Sequence, residues 1–311
     1  MNETSPTGIL LVDKPQGITS HDVVARARRA LGTRKVGHAG TLDPMATGLL
    51  VLGVGSSTRL LSYVVGLDKD YEATIRLGQS SDTDDADGEI SAARSTDAVS
   101  ADALATGIAA LTGSISQVPS TFSAIKVDGR RSYDLARAGH AVELASRAVT
   151  VSRFEVRARR EATVDGTPVI DLDVAVTCSS GTYIRALARD LGSALGVGGH
   201  LTALRRTRIG PFVVADATVL ESQRPSPDEP SPIHAADLRT AAATARQLFP
   251  TLALDESEAV ALSQGKRLAV DVPDAAIVAA LAPDGHLVGL VSVTDGEARV
   301  LVNFPTEGRV S

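Results

Sequence analysis

The chain has 311 residues, of which 43% are hydrophobic and 22% charged, with a net charge of −6 and a single cysteine, Cys178. These values are ordinary for a soluble globular protein and leave room for one large domain and one small domain. One cysteine excludes an internal disulfide and fits a reducing compartment. No apolar run approaches the ~20 residues needed to span a bilayer, and the start MNETSPTGILLVDKP carries an acidic residue and only a short apolar run, so the expected location is the cytoplasm.

In chain order, Gly8–Asp13 reads as a strand and Lys14–Gly17 as a turn. Thr19-Ser20-His21-Asp22 has capping-box spacing and opens a helix through Leu31, with Val23, Val24, Ala27, Ala30 and Leu31 on one face. A turn around Asp43 leads into a buried strand over Leu49–Val54, followed by a short helix near Arg59–Val65. Lys69–Leu77 alternates cleanly, which puts Tyr71, Ala73, Ile75 and Leu77 on its apolar side. The acidic stretch Ser80–Gly88 reads as a flexible polar loop, and a helix follows around Ala101–Leu111. Phe154, Val156 and Ala158 mark one alternating strand and Ile170–Val176 the next, which ends at Cys178-Ser179-Ser180-Gly181. A helix then runs from near Thr182 to about Leu195. Ser222–Pro232 has four prolines and reads as a loop or linker, and a short helix spans about Ala235–Leu248. Thr251–Pro305 reads as a compact unit with a helix Glu256–Ser263 and short strands joined by turns at Pro283-Asp284-Gly285 and Asp295-Gly296.

Charge is segregated along the chain. No acidic residue lies between Asp22 and Asp43, where Arg26, Arg28, Arg29, Arg34 and Lys35 stand, nor between Asp190 and Asp216, where Arg205, Arg206 and Arg208 stand. Acids gather at Asp82, Asp84, Asp85, Asp87 and Glu89. Such segregation can build a basic, phosphate-holding face on an acidic protein, or can be no more than solvated helix faces.

Chemistry concentrates in Gly37–Gly55, GHAGTLDPMATGLLVLGVG. Pro44 pushes Asp43 out of the helical region and fixes a stiff turn, which the apolar run anchors to the core. An Asp-Pro turn alone often just satisfies its own backbone. With His38 five residues earlier and the glycines on either side, the string is far more specific. Tyr71 at a strand end and Tyr183 and Arg185 at a helix start stand out in a chain with only nine aromatic residues in the Phe, Tyr and Trp classes. Taken alone, either tyrosine reads as core packing. The six histidines show no metal-ligand spacing around Cys178, no G-x-x-x-x-G-K-[ST] loop occurs, and Gly53-Val54-Gly55 reads as a strand-to-helix turn.

Six blocks in order resemble the bacterial tRNA pseudouridine-55 synthase (TruB) family: GILLVDKPQGITSHDVV (Gly8–Val24), GHAGTLDPMATG (Gly37–Gly48), KDYEATIRLGQSSDTDDADG (Lys69–Gly88), VPSTFSAIKVDGRRSYDLAR (Val118–Arg137), SGTYIRALARDLG (Ser180–Gly192) and HLTALRRTRIGPF (His200–Phe212). The resemblance implies that Asp43 is the catalytic carboxylate and Arg185 the arginine that pairs with it. It implies that Tyr71 stacks on the target uracil and assists the final proton removal, and that His38 lies near the flipped nucleotide. Tyr183 and Leu204 match further substrate-pocket positions, and Lys14 and Lys126 matching basic positions. No metal or cofactor is implied. Such chemistry needs a uridine flipped out of a stem-loop, a stacking platform and an apolar pocket. The carboxylate can attack C1′ or C6, or abstract a ribose proton.

The implied architecture is α+β: a pseudouridine synthase fold, with a mixed, largely antiparallel sheet and flanking helices, over 1–247 (the Pro-rich loop at 222–232), plus a small C-terminal PUA-like β-barrel over 248–311 that binds RNA or serves as a structural appendage. The implied partner is the T-arm stem-loop of tRNA, with no membrane, no obligate protein partner and a monomeric state. A tRNA-elbow folding chaperone, whose binding role is separable from catalysis, is the alternative. A two-carboxylate hydrolase lacks a convincing second carboxylate.

Overall fold

The computed structural model describes residues 6–121, 126–127, 130–131, 144–223 and 231–305. Of the strand and loop expectations, most of the Val118–Arg137 block and of the Pro-rich loop lies outside the described residues. The chain divides into two compact units, one formed by 1–43, 49–65 and 211–311 and the other by 44–48 and 66–210. Both mix strands and helices, and most strand pairs are antiparallel.

In the first unit the strand Gly8–Lys14 is buried along nearly its whole length and pairs in parallel with Thr218–Val219. The helix Ser20–Ala30 begins as its sequence dictates. The Thr19 side chain accepts from the Asp22 backbone N–H while the Asp22 side chain accepts from the Thr19 N–H, a reciprocal cap on two otherwise orphaned donors. Val23, Val24 and Ala27 of this helix pack with Leu10, Val12, Leu50, Leu52 and Val54 in one core cluster. The strand Val36–Ala39 pairs antiparallel with Val51–Val54, so that His38 stands opposite Leu52. Gly55, at φ +60°, turns the chain into the short helix Gly55–Leu60, which continues directly as Leu61–Val65. Here the strand-to-helix reading of Gly53–Gly55 is met.

The C-terminal part of this unit is a five-stranded sheet in the order Thr251–Ala253, Ala275–Leu281, Leu287–Thr294, Glu297–Asn303, Leu268–Ala269. The capped helix Glu256–Ser263 contributes Leu262 to its core beside Val278, Val291 and Ala298. Asp295 and Gly296 both adopt positive φ, +52° and +72°, as a tight hairpin turn requires. The expected helix over 235–248 splits instead, into a short turn at Ala235–Asp237 and a helix Ala241–Leu248 opened by Thr240.

In the second unit the strand order is Gly199–Ile209, Lys69–Leu77, Thr167–Cys178, Arg147–Val164, Gly113–Gln117, with Thr47 and Gly48 paired in parallel to Arg205 and Arg206. Lys69–Leu77 is central, antiparallel to neighbours on both sides, and its alternation holds: Tyr71, Ala73, Ile75 and Leu77 are buried. The helices Ala101–Ala110 and Ile184–Ala194 belong to this unit. They approach closely at Gly107, where a Cβ would lie 2.8 Å from a methyl carbon of Leu191.

Candidate active site

In the first unit, the start of the helix Ser20–Ala30 gathers the predicted residues. Ser20 is buried, and its hydroxyl donates to the Leu42 carbonyl (3.1 Å) while accepting from the Leu42 N–H (2.9 Å). This two-way bond pins the loop immediately before Asp43 onto the helix. Asp43 itself is half-buried. At the next residue, the His21 ring meets the His38 ring edge-on, with centroids 5.7 Å apart. Successive helix residues thus hold the two sequence-predicted residues His38 and Asp43 around one helix start. Lys14 is fully buried, and its ammonium donates to the Pro15 (2.9 Å) and Ile18 (2.8 Å) carbonyls, bracing the turn that leads into the same helix.

In the second unit, Tyr71 stands opposite Arg206 and Ala73 opposite Leu204 in an antiparallel pair. Residues opposite one another share a face, and those two apart along a strand share it too. Tyr71, Leu204 and Arg206 therefore lie on one face of the sheet, all buried. Lys69 stands on that face as well, across from Cys178. Burial, with the Arg206 charge nearby, lowers the Lys69 ammonium to about 8, and burial pushes the Cys178 thiol up to about 11.

Arg185 is the second residue of the helix Ile184–Ala194 and only 4% exposed. Its Nη1 donates to the Thr83 carbonyl at 2.8 Å and lies 3.2 Å from Asp85 Oδ2. Tyr183 is the capping residue before that helix, half-buried, and its peptide is gripped at both ends by the Gln117 side chain. Gln117 Nε2 donates to the Tyr183 carbonyl (3.0 Å) and Gln117 Oε1 accepts from the Tyr183 N–H (2.8 Å). Lys126 lies in a two-residue strand paired with Arg130–Arg131.

The structure corrects two readings of charge. The acidic stretch after Ser80 is not a solvated loop at its centre, because Asp84 and Asp85 are 7% and 3% exposed and meet arginines of the helix Ile184–Ala194. Nor are all the arginines of 205–208 free to meet phosphate. Arg206 is buried, and Arg208 forms ion pairs with Asp68 (2.6 Å) and Asp70 (2.7 Å), which hold it firmly charged and hold both carboxyls below the usual range. In the first unit Arg28, Arg29, Arg34 and Lys35 are exposed. Sequence reasoning also passed over Ser20, which pins the loop before Asp43, and Gln117 and Asp85, which hold Tyr183 and Arg185. Ser20 stood in the capping-box motif, but the other two carry no local signal. Among the described residues no group of three or more His, Cys, Asp and Glu is gathered as a metal ion would require, and no helix is long and apolar enough to cross a membrane.

Comparison with known proteins is consistent along most of the chain. Residues 28–184 match the model of the TruB family pseudouridylate synthase N-terminal domain. Residues 185–223 match a tRNA pseudouridylate synthase B C-terminal domain, and 249–305 the tRNA pseudouridine synthase II C-terminal domain. The tRNA pseudouridine synthase B of Paenarthrobacter aurescens is 53% identical over 306 residues, 96% of this chain and 95% of that one. The protein of the same name from Leifsonia xyli is 55% identical, covering 97% of each chain. Among solved structures, an H/ACA RNP bound to a substrate RNA containing 2′-deoxyuridine aligns with a TM-score of 0.65 at 23% identity, over 97% of this chain and 86% of that one. A Cbf5-Nop10-Gar1 complex aligns equally well, over 97% and 85%. These two show the fold: the α+β pseudouridine synthase fold with a small PUA-like β unit at the C-terminus.

Proposed function

The chain belongs to the TruB family of tRNA pseudouridine synthases, and from that membership we propose that it isomerises uridine-55 in the T-arm loop of tRNA, acting alone as a cytoplasmic monomer without metal or cofactor. In this reading Asp43 is the catalytic carboxylate and Arg185 the arginine that serves it. Tyr71 is the stacking partner of the flipped uracil, and Leu204, Tyr183 and His38 line its surroundings. Residues 1–247 form the catalytic domain and 248–311 the RNA-binding one. Lys14, turned inward onto two carbonyls, braces the turn ahead of the helix that holds Asp43's loop; Lys126 and the exposed Arg28, Arg29, Arg34 and Lys35 are the basic residues assigned to the RNA.

The observation that carries the reading is the support around Asp43. A carboxylate on a proline-stiffened turn, tied to a helix start by a buried serine, keeps its direction while a base is flipped and turned beside it. Cleaving C1′–N1 and rejoining through C5 leaves the uracil composition unchanged, so the site has only to trap, rotate and deprotonate the base. Tyr71 and Leu204 on one buried face offer the aromatic and apolar surfaces for the trapping.

The test is Asp43→Asn with full-length tRNA. The expected result is loss of pseudouridine at position 55 with tRNA affinity kept within about twofold. Normal single-turnover formation by that variant would remove Asp43 from catalysis. Wild-type protein that refolds tRNA but leaves position 55 as uridine would instead make it a tRNA-elbow chaperone.

A further inference from the structure

Two successive residues of one loop each hold an arginine of the same helix. Asp85 holds Arg185, and Asp84 Oδ2 lies 3.1 Å from Nη1 of Arg189, one helical turn further on. Residues four apart on a helix sit one above the other, whereas successive residues of an extended chain point to opposite sides. The backbone of Asp84 reconciles the two patterns. Its φ of +62° is left-handed, and the bend turns both carboxylates toward the helix. A left-handed backbone is unfavourable for an aspartate, so the surroundings must enforce it. They do: the Leu201 N–H donates to the Asp84 carbonyl at 3.0 Å, and the residue is buried. Burial holds the Asp84 carboxyl above the usual carboxylate range, a rise that the Ser120 hydroxyl and the Arg189 and Arg185 charges offset only in part.

Arg189 reaches further than this one pair. Its Nη2 donates to the Val118 carbonyl (2.7 Å), and its Nε to the neighbouring Asp190 carboxylate (2.9 Å). Val118 follows Gln117, whose side chain grips the Tyr183 peptide at the helix start. One guanidinium therefore joins the loop that carries Asp85, the strand end at 117–118 and the helix that carries Arg185.

We propose that the Asp84–Arg189 pair is a positioning device for Arg185: by locking the loop onto the helix, it sets where the Asp85 carboxylate stands against the Arg185 guanidinium, and so how Arg185 is aimed during isomerisation. Both residues act through Arg185, and the inference rests on the reading of Arg185 as the arginine that serves Asp43.

The experiment measures single-turnover pseudouridine formation, tRNA Kd and melting temperature for full-length Asp84→Asn, Arg189→Gln, the double variant, Arg189→Lys and Arg185→Lys. Asparagine keeps the aspartate shape and its tolerance of positive φ while losing the charge. Expected are rates about tenfold lower for Asp84→Asn and Arg189→Gln with Kd within twofold, a double variant no slower than either single, and recovery of most of the rate in Arg189→Lys. Wild-type rates, additive losses or a loss confined to Kd would each overturn the inference. Should Arg189→Gln not fold, a slow Asp84→Asn beside a fast Arg189→Lys supports the inference, and equal rates in those two overturn it. A slow Arg185→Lys beside fast Asp84 and Arg189 variants overturns this inference alone, whereas a fast Arg185→Lys overturns the reading of Arg185 beneath it.

Discussion

Arg185 and Asp85 form an ion pair with 3.2 Å between Nη1 and Oδ2, and each side chain is only 5% exposed. Taking two charges out of water is expensive, so a buried pair is a poor source of stability but a strong constraint on geometry. Here the constraint falls on the guanidinium, which the Thr83 carbonyl holds as well. A guanidinium so gripped presents its remaining donors in one fixed direction.

Asp85→Asn keeps the shape and removes the charge. It is expected to lower single-turnover pseudouridine formation at least tenfold while tRNA affinity stays within about twofold. Breaking one side of a buried pair costs about 3–5 kcal/mol, so its melting temperature should also fall by several degrees. Rapid-quench assays with radiolabelled tRNA, together with calorimetry, check both. A wild-type rate would mean that the Asp85 charge does not set the aim of Arg185.

Ser20→Ala removes both bonds that tie the loop to the helix and leaves the buried Leu42 N–H without its hydroxyl acceptor. An unsatisfied buried donor costs about 1–3 kcal/mol. The expected outcome is that loss in stability plus a fall of about tenfold in turnover, because the loop entering Asp43 is released. Ser20→Thr, which restores the hydroxyl, should recover part of the rate. Urea titration and single-turnover kinetics together distinguish a loosened loop from a protein that is merely less stable.

How much of this was legible in the sequence follows from how local each determinant is. The Thr19–Asp22 box, the alternation of Lys69–Leu77 and the helix Glu256–Ser263 depend on neighbours within a few residues, and all three form as read. Asp43 and Arg185 stand out in the sequence only through the motifs that carry them. Asp84 and Asp85 looked like solvated acids because their counterions lie about a hundred positions away, at Arg189 and Arg185. Arg208 reads as part of a phosphate-holding face or as a solvated charge for the same reason: Asp68 and Asp70 meet it only once Lys69–Leu77 pairs with Gly199–Ile209. Gln117 carried no signal, since its partner is a backbone peptide at Tyr183. Charge read along a chain shows where ionisable groups are, and strand pairing decides which of them remain free.

Gly48 lies within the same string as Asp43, and its reason is steric. Its φ is +101°, and a Cβ there would stand 2.2 Å from the Arg206 carbonyl oxygen in the paired strand. Gly48→Ala thus combines a disallowed backbone with a clash against main chain that cannot swing aside. Losses beyond about 4 kcal/mol are typical of such combined faults. The variant is expected to be insoluble or to melt at least ten degrees lower, by circular dichroism. A variant as stable as the parent would show that the strand holding Arg206 can move away.

Lys69 gives the protein a pH signature. Its ammonium titrates at about 8 in the fold against about 10.5 for the free side chain, chiefly because it is buried. Between those values the unfolded chain binds more protons than the folded one, so this group makes stability rise with pH. Below about 8 the folded protein bears the full cost of keeping a charged lysine inside. Lys69→Met removes that cost while preserving bulk on the face shared with Tyr71. At pH 7 the variant is expected to be more stable than the parent by about 1–2 kcal/mol, a figure discounted for partial solvent screening. The advantage should shrink as pH rises from about 8 and vanish above about 10.5. Urea titrations at pH 7, 9 and 10.5 check the trend, and a constant difference across that range would mean that the gain comes from packing rather than from the buried charge.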